Sequence, residues 1–407
     1  MVRGWRLPRI FQAVLVAGAA LASSGRAQPA ADVLEHGRYL ATVGECAGCH
    51  TGAAGPFAGG RAFPSSFGVV ESANITQDVE TGIGAWSADD LYRALHEGRS
   101  KGGAHLYPAF PYPYFTRVTR ADSDALYAFL RTVPAVRNAP RRDRLAFPMS
   151  WRPIMAFWNA LYFRPGEFRP DPAHSPAWNR GAYLVKGLAH CGACHSPKNA
   201  LAADSRSHPF EGGVIEGWFA PDLTGDPRSG LGSWSEDDLF TFLKTGRNPH
   251  TAAGGMMAGV VQGSISKLAD DDLHAIAAYI KSLPPSAPQP APRLDPAVMA
   301  RGGAVYAAQC ASCHEGGQNM PPPLQGAPNV QASNPTTLIR YLLNGTRTAI
   351  TPAHPQPDVM PAMAATLDDR QTADVLSYIR NSWGNAASQV SPRQVAAVRA
   401  ATAQAGG

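Results

Sequence analysis

Charge is scarce in this 407-residue chain: 16 % of residues are charged, whereas 44 % are hydrophobic. That balance excludes a disordered chain and allows sizeable cores. Collagen-like periods, heptad runs and a poly-acidic tail are missing, which excludes the fibrous and coiled-coil classes. The formal charge of +5 includes four arginines and no acid in residues 1–27, so the remainder carries only +1. No nucleic-acid partner is expected from so small an excess. Beyond the N-terminus no stretch approaches the roughly eighteen consecutive apolar residues of a membrane-spanning helix. No Ser-His-Asp arrangement, P-loop or dinucleotide-binding fingerprint is evident, so no substrate chemistry is expected of this chain alone.

What is present begins with an address. Arg3, Arg6 and Arg9 precede the mostly apolar stretch Ile10 to Ala22, and Ser23, Ser24, Gly25 and Ala27 are small. Residues 1–27 therefore read as a secretory signal peptide cleaved after Ala27, the apolar run being short for an uncleaved anchor. The mature protein is expected outside the cytoplasm, in the periplasm.

No cysteine is left over from a single recurring frame. The six occur as Cys46-Ala-Gly-Cys49-His50, Cys191-Gly-Ala-Cys194-His195 and Cys310-Ala-Ser-Cys313-His314. Each is C-x-x-C-H, the attachment signature of haem c. Two cysteines three apart reach the two vinyl groups of one porphyrin, and the adjacent histidine lies under the iron as its proximal ligand. A thioredoxin-like pair needs no following histidine. Zinc knuckles sit about 15–20 residues apart, whereas these frames lie 145 and 119 residues apart. Three covalent haems c follow, with no disulfide and no free thiol. His50, His195 and His314 are the expected iron ligands.

The frames head three repeats. Gly37-Arg38-Tyr39-Leu40, Gly181-Ala182-Tyr183-Leu184 and Gly302-Gly303-Ala304-Val305-Tyr306 precede them, and segments around 123–130, 272–280 and 372–379 carry apolar residues at helical spacing. A middle element recurs as Gly82-Ile83-Gly84-Ala85-Trp86-Ser87 and Gly230-Leu231-Gly232-Ser233-Trp234-Ser235, followed by acids. It predicts helices starting at Ser87 and Ser235, near capping boxes with Asp in place of Glu or Gln. Trp86 and Trp234 are expected to wall haem pockets, and a shorter counterpart spans 334–345. The expected fold is all-α, with three tandem cytochrome c-like domains at 32–135, 173–284 and 297–384. Residues 136–172 form a Pro-, Arg- and aromatic-rich linker, too apolar to be free and expected to pack on a neighbouring domain or a partner subunit. Residues 285–296 form a Pro-rich spacer, and 385–407 a C-terminal tail.

The sixth iron ligands distinguish the repeats. A methionine thioether opposite the histidine is typical of electron-transfer haems. Met360 lies 50 residues after Cys310, with Met363 as runner-up, and Met257 lies 66 residues after Cys191, preferred over Met256. The first repeat has no methionine between Cys46 and Pro134, and Phe110 stands 64 residues after Cys46. Of His36, His96 and His105, His105 is the first choice for that iron, with Met149, Met155 or an open position as alternatives.

Through these strings the chain resembles the three-haem cytochrome c subunits of periplasmic, membrane-associated dehydrogenases. These include the cytochrome subunits of quinoprotein alcohol dehydrogenase and of flavin-dependent gluconate and fructose dehydrogenases. The resemblance rests on the three frames, on Thr81 to Ser87, on Tyr279-Ile280-Lys281-Ser282-Leu283-Pro284 and on Arg380-Asn381-Ser382-Trp383-Gly384-Asn385. It implies a catalytic dehydrogenase partner and relay of electrons to ubiquinone or another respiratory acceptor, such as a terminal oxidase or cytochrome. It implies peripheral association with the outer face of the cytoplasmic membrane, often through a C-terminal amphipathic helix. Here Ser391-Pro392 would start that helix, with Val395 and Val398 apolar and much of the rest alanine, a weak anchor. Met257 and Met360 match the family's distal methionines. Leu106 to Tyr112 is more like subunits paired with molybdenum hydroxylases acting on aldehydes or N-heterocycles. The alternatives to a relay subunit are a freestanding multihaem shuttle and a haem peroxidase using an open first haem.

Overall fold

The computed structural model describes residues 1, 27–289, 292–315 and 321–405. Apart from Met1 and Ala27, the expected signal peptide lies outside the described residues. The chain opens with helices α1 (Ala27–Val43) and α2 (Cys46–His50), then strands β1 (Ala62–Ser65) and β2 (Gly68–Glu71). Helices α3 (Ala88–Glu97), α4 (Tyr112–Phe115) and α5 (Arg120–Leu130) complete a first helical unit. Strand β3 (Arg144–Leu145) and helix α6 (Ile154–Tyr162) follow. A second unit runs through α7 (Pro176–Lys186), α8 (Gly192–His195), β4 (Gly213–Ile215), β5 (Trp218–Ala220), α9 (Glu236–Thr245), α10 (Gly255–Gly263) and α11 (Asp270–Lys281). A third holds α12 (Pro296–Gln309), α13 (Ala311–His314), α14 (Pro328–Gln331), α15 (Thr336–Asn344), β6 (Thr346–Arg347), β7 (Val359–Met360), α16 (Asp369–Ile379) and α17 (Pro392–Ala405). The strands pair antiparallel as β1-β2-β3, β4-β5 and β6-β7.

The same helix crossing occurs three times. Helix α1 packs on α5, α7 on α11 and α12 on α16. At each crossing a glycine lets the backbones touch. A β-carbon on Gly37, Gly181 or Gly302 would lie 2.0, 1.9 or 2.1 Å from the carbonyl oxygen of Ala125, Ala275 or Asp374. One residue earlier, His36, Arg180 and Arg301 reach Asp122, Asp272 and Asp374 at 2.8, 2.7 and 2.6 Å. These glycines are the ones picked out by the repeat pattern; their close approach explains why no larger residue stands there.

Ser87 and Ser235 cap α3 and α9 in full capping boxes with Asp90 and Asp238. The shorter aspartate thus does the work usually given to Glu or Gln. Both helices end on left-handed glycines, Gly98 and Gly246, at φ 61° and 76°.

The first two units share one core. Leu40 and Leu126 of the first belong to the same buried cluster as Leu184 and Ile276 of the second, whereas Ile339, Leu343 and Val375 build a separate core in the third. Reciprocal hydrogen bonds seal the shared interface. The Tyr39 hydroxyl donates to Asp272 at 2.5 Å, and the Tyr183 hydroxyl donates to Asp122. The third unit docks through the Thr337 hydroxyl, which accepts from the Phe219 amide at 2.9 Å and donates to the Phe219 carbonyl at 2.8 Å. Arg247 pairs with Asp358 at 2.7 Å, and the Arg340 guanidinium lies 4.2 Å above Trp218.

The segment 136–172 packs on the first unit, as its aromatics imply, and the Pro-rich spacer is more integrated than its composition suggests. Within 136–172, β3 extends the β1-β2 sheet, Asn74 donates to the Val136 carbonyl at 2.8 Å, and Arg144 pairs with Glu71 at 2.9 Å. At the start of the Pro-rich spacer, Ser286 is buried and donates to Asp222 at 2.7 Å, so this part is pinned rather than free. The tail 385–407 is not separate from the third unit. Asn385 donates to Leu324 and Ile379 carbonyls, Val395 is fully buried on the third core, and Arg399 pairs with Asp369 at 2.7 Å.

Candidate functional site

In each frame one turn of helix follows the first cysteine, so residues i, i+3 and i+4 gather on one side. Helix α2 carries Cys46, Cys49 and His50; α8 carries Cys194 and His195 with Cys191 at its N-cap; α13 carries Cys313 and His314 with Cys310 at its N-cap. All six thiols are unbridged. Burial pushes the Cys46 and Cys191 thiols up to about 12 and the Cys49 and Cys194 thiols up to about 11, and it raises Cys310. Burial thus favours the neutral thiol at Cys46, Cys49, Cys191, Cys194 and Cys310. Among the described residues no group of three or more His, Cys, Asp or Glu gathers around a metal position.

The histidines supply the test of fit for haem c. His50 Nδ1 donates to the Ala73 carbonyl at 2.7 Å, and His195 Nδ1 donates to the Pro221 carbonyl at 2.7 Å. Each bond places the proton on Nδ1 and leaves Nε2 as the free electron pair, the tautomer an iron ligand requires. Burial lowers the pKa of His50, His195 and His314, which favours the neutral ring. The frames therefore fit a covalently held haem with a proximal imidazole.

Past the capping glycines of α3 and α9, the first two units share a backbone register. The Leu106 amide donates to the Gly98 carbonyl at 2.7 Å, and the Ala253 amide donates to the Gly246 carbonyl at 2.8 Å. Four residues further on stand Phe110 and Met257. Both are half-buried against the shared core. His105 falls at the register of Ala252, in an antiparallel bridge with Arg99 matching that of Arg247 with Ala252. Its Nδ1 lies 3.3 Å from the Asn159 side chain on α6, and its carbonyl accepts from Arg152 at 2.9 Å. The structure thus sets His105 against α6 and puts Phe110 at the register of Met257. Met155 is buried among Tyr107, Tyr112 and Trp158 as core packing. His96 is buried and stacked on Tyr92. In the third unit Met360 pairs with Thr346 beside the left-handed Gly345, and Met360 and Met363 are both half-buried on the third core. Trp86 and Trp234 both pack on the shared core.

Sequence reasoning missed how closely the first two frames face each other. Glu45 and His190, which immediately precede Cys46 and Cys191, both adopt left-handed backbone, at φ 53° and 37°. The His190 ring lies 5.4 Å edge-on from Phe115, which lies 5.3 Å from Phe110, so the second frame abuts the distal segment of the first unit. Reciprocally, Ser264 just past α10 donates to the Thr42 carbonyl at 2.6 Å, setting the distal helix of the second unit against the approach to the first frame. Arg61 donates to the Gly48 carbonyl at 2.9 Å and lies 3.9 Å from Glu216. The available signal was the matching Gly-x-Tyr of α1 and α7, which α12 lacks because Ala304 stands at that offset.

Comparisons with known proteins agree with this geometry. The family model described as Cytochrome c matches residues 179–284, and that described as Cytochrome C oxidase, cbb3-type, subunit III matches residues 297–379. The chain is 40 % identical over 398 residues to the alcohol dehydrogenase (quinone) cytochrome c subunit of Gluconacetobacter polyoxogenes, covering 92 % of this chain and 85 % of that protein. It is 41 % identical over 396 residues to the gluconate 2-dehydrogenase cytochrome c subunit of Pantoea cypripedii, covering 90 % and 89 %. It is 42 % identical over 366 residues to a nicotinate dehydrogenase subunit of Pseudomonas putida, covering 87 % of this chain but only 30 % of that longer protein.

Proposed function

The chain belongs to the family of dehydrogenase cytochrome c subunits, and from that premise we propose that this electron-transfer subunit carries three covalent haems c in three tandem domains. When bound, haem c supplies one-electron redox chemistry, while the protein sets ligands, burial and spacing. Cys46 and Cys49, Cys191 and Cys194, and Cys310 and Cys313 are the thioether donors. His50, His195 and His314 are the proximal ligands, and Met257 and Met360 the distal ones. The observation that carries the reading is the Nδ1-to-carbonyl bond of His50 and His195, which readies Nε2 in two frames of identical spacing.

The donor is a catalytic dehydrogenase subunit. The acceptor is ubiquinone or another respiratory carrier at the outer face of the cytoplasmic membrane, reached after export to the periplasm. Among the described residues no helix is long and apolar enough to cross a membrane, which accords with peripheral attachment. The string Leu106 to Tyr112, together with the similarity to a nicotinate dehydrogenase subunit, favours a donor acting on an N-heterocycle or aldehyde over an alcohol. Phe110 at the register of Met257 favours a second reading of the first haem alone, as a centre open to small ligands.

The test is a haem count with spectroscopy on the exported protein. Three haems per chain, reduced on adding the purified catalytic subunit and its substrate, are expected. A count of two, or no reduction by any co-purifying dehydrogenase, would reject the relay. Carbon monoxide binding to a single haem would support the open first centre.

A further inference from the structure

Helix α6 has an outer face unlike that of a helix in contact with water. Its inner side, through Met155 and Trp158, packs on Tyr107, Tyr112 and Phe163. Its outer side carries Ala156, Phe157, Ala160 and Leu161, all exposed and none polar. A surface helix ordinarily turns polar residues outward, and one that is apolar all round is covered by something. Phe147 and Trp151 lead into the helix and are 83 % and 59 % exposed, while Phe157 is 64 % exposed. Leu201, also exposed, lies beside it, its carbonyl accepting from Trp158 Nε1 at 2.9 Å. So dense a group of large exposed apolar side chains marks an interaction surface.

The charges around it choose the occupant. Residues 136–172 hold seven arginines against three acids, in a chain otherwise near neutrality after residue 27. Arg144 and Arg152 are paired with Glu71 and Asp143. Arg141 and Arg142 on one side, and Arg164 and Arg206 at the C-terminal end of α6, are exposed, and their guanidinium groups have no acidic partner among the described residues, although the Arg141 backbone amide donates to Glu71 at 3.1 Å. Aromatic side chains between unpaired arginines match a phospholipid interface, where rings enter the acyl boundary and guanidinium groups meet anionic headgroups. The two valines of the C-terminal helix are turned inward instead, Val395 buried and Val398 packed on the third core.

We propose that the outer face of α6, with Phe147, Trp151 and Leu201, docks the protein on an anionic phospholipid membrane. The proposal rests on the relay reading and names the surface that brings it to a membrane acceptor. Docking there sets the first unit toward the bilayer, since Tyr112 donates to Asn159 of α6 at 2.5 Å and Tyr107 to the Met149 carbonyl at 2.7 Å.

The experiment is flotation of the purified holoprotein with vesicles of phosphatidylglycerol and phosphatidylethanolamine, against vesicles of phosphatidylcholine alone. The wild type is expected to float with the anionic vesicles. The Trp151→Ser/Phe157→Ser variant should bind them about tenfold or more weakly. Arg141→Gln/Arg142→Gln should lose about tenfold on anionic vesicles, with no loss on phosphatidylcholine. Haem absorbance and melting of each variant control for folding. Equal flotation of wild type and the aromatic variant would overturn the proposal. So would loss of the catalytic subunit, or of a dimer, from the aromatic variant with vesicle binding intact, since a protein would then cover the face. Reduction by the catalytic subunit, followed by oxidation with a water-soluble quinone in the absence of vesicles, reads the relay separately.

Discussion

The Tyr39 hydroxyl of the first unit donates to the Asp272 carboxylate of the second at 2.5 Å, and Tyr183 repeats the contact in reverse with Asp122. Two units exchanging the same bond behave as a pair related by a pseudo-two-fold. Because they also share one core, the first two frames are held rigidly, with the third attached through a smaller contact. Tunnelling between redox centres is sensitive to their separation, so a rigid pair is a suitable way to keep two of them coupled.

Removing either hydroxyl should loosen the pair and leave the third unit intact. Tyr39→Phe and Tyr183→Phe each lose a charge-assisted bond in a part-buried site, at a cost of about 1–3 kcal/mol. Calorimetry of the holoprotein should show the transition of the first two units lowered and that of the third unmoved. The double variant should depart from additivity, because both bonds serve one interface.

The same interface should weaken in acid. Burial would raise the Asp272 carboxyl, but its bonds to Arg180 and Tyr39 outweigh this and hold it below the usual carboxylate value. A folded pKa below the unfolded one contributes stability that is fully present above about pH 4 and is lost as pH falls through the folded value. Denaturation midpoints should therefore drop below about pH 4. Asp272→Asn should be less stable at neutral pH and show less of that acid dependence, because the amide cannot pair ionically with Arg180.

The three helix crossings give a graded test of the repeat. Alanine at Gly37, Gly181 or Gly302 would drive a β-carbon into a carbonyl oxygen about 2 Å away. Backbone cannot yield as a side-chain end can, so each substitution should cost about 1–3 kcal/mol or more. Gly37→Ala and Gly181→Ala should lower one common transition, whereas Gly302→Ala should lower the separate transition of the third unit. Equal effects on both transitions would contradict the division of cores.

Much of this was legible from local chemistry. The attachment frames, the crossing glycines, the capping serines Ser87 and Ser235 and the terminal helices are short-range patterns, and the structure carries each as a local element. The pairing of the first two units was not legible, because it depends on which surfaces meet. Tyr39 and Asp272 are far apart in the chain, and nothing in either neighbourhood names the other. The segment 136–172 was legible as packed rather than free through its aromatics, and Met155, Trp158 and Phe163 do bind it to the first unit; which surface it would cover was not. In the tail, Val395 and Val398 looked like a weak membrane face and instead complete the third core.

Counting from Cys46 and backbone register both bring Phe110, which cannot ligate iron, to the place of Met257, with His105 five residues before it. The Leu106 amide bond to the Gly98 carbonyl makes Phe110 the counterpart of Met257. Phe110→Met is expected to supply a thioether to the first haem, since it puts the sulfur at the register of Met257, four residues past the matching bond to the capping glycine. The expected result is a new thioether-to-iron charge-transfer band and a higher potential for one haem, since a thioether favours the reduced iron. His105→Ala should leave the spectrum of that haem unchanged, because its backbone register is that of Ala252, five residues before Phe110. If His105→Ala altered the spectrum while Phe110→Met did not, the register argument would fail and the imidazole would have to reach the iron.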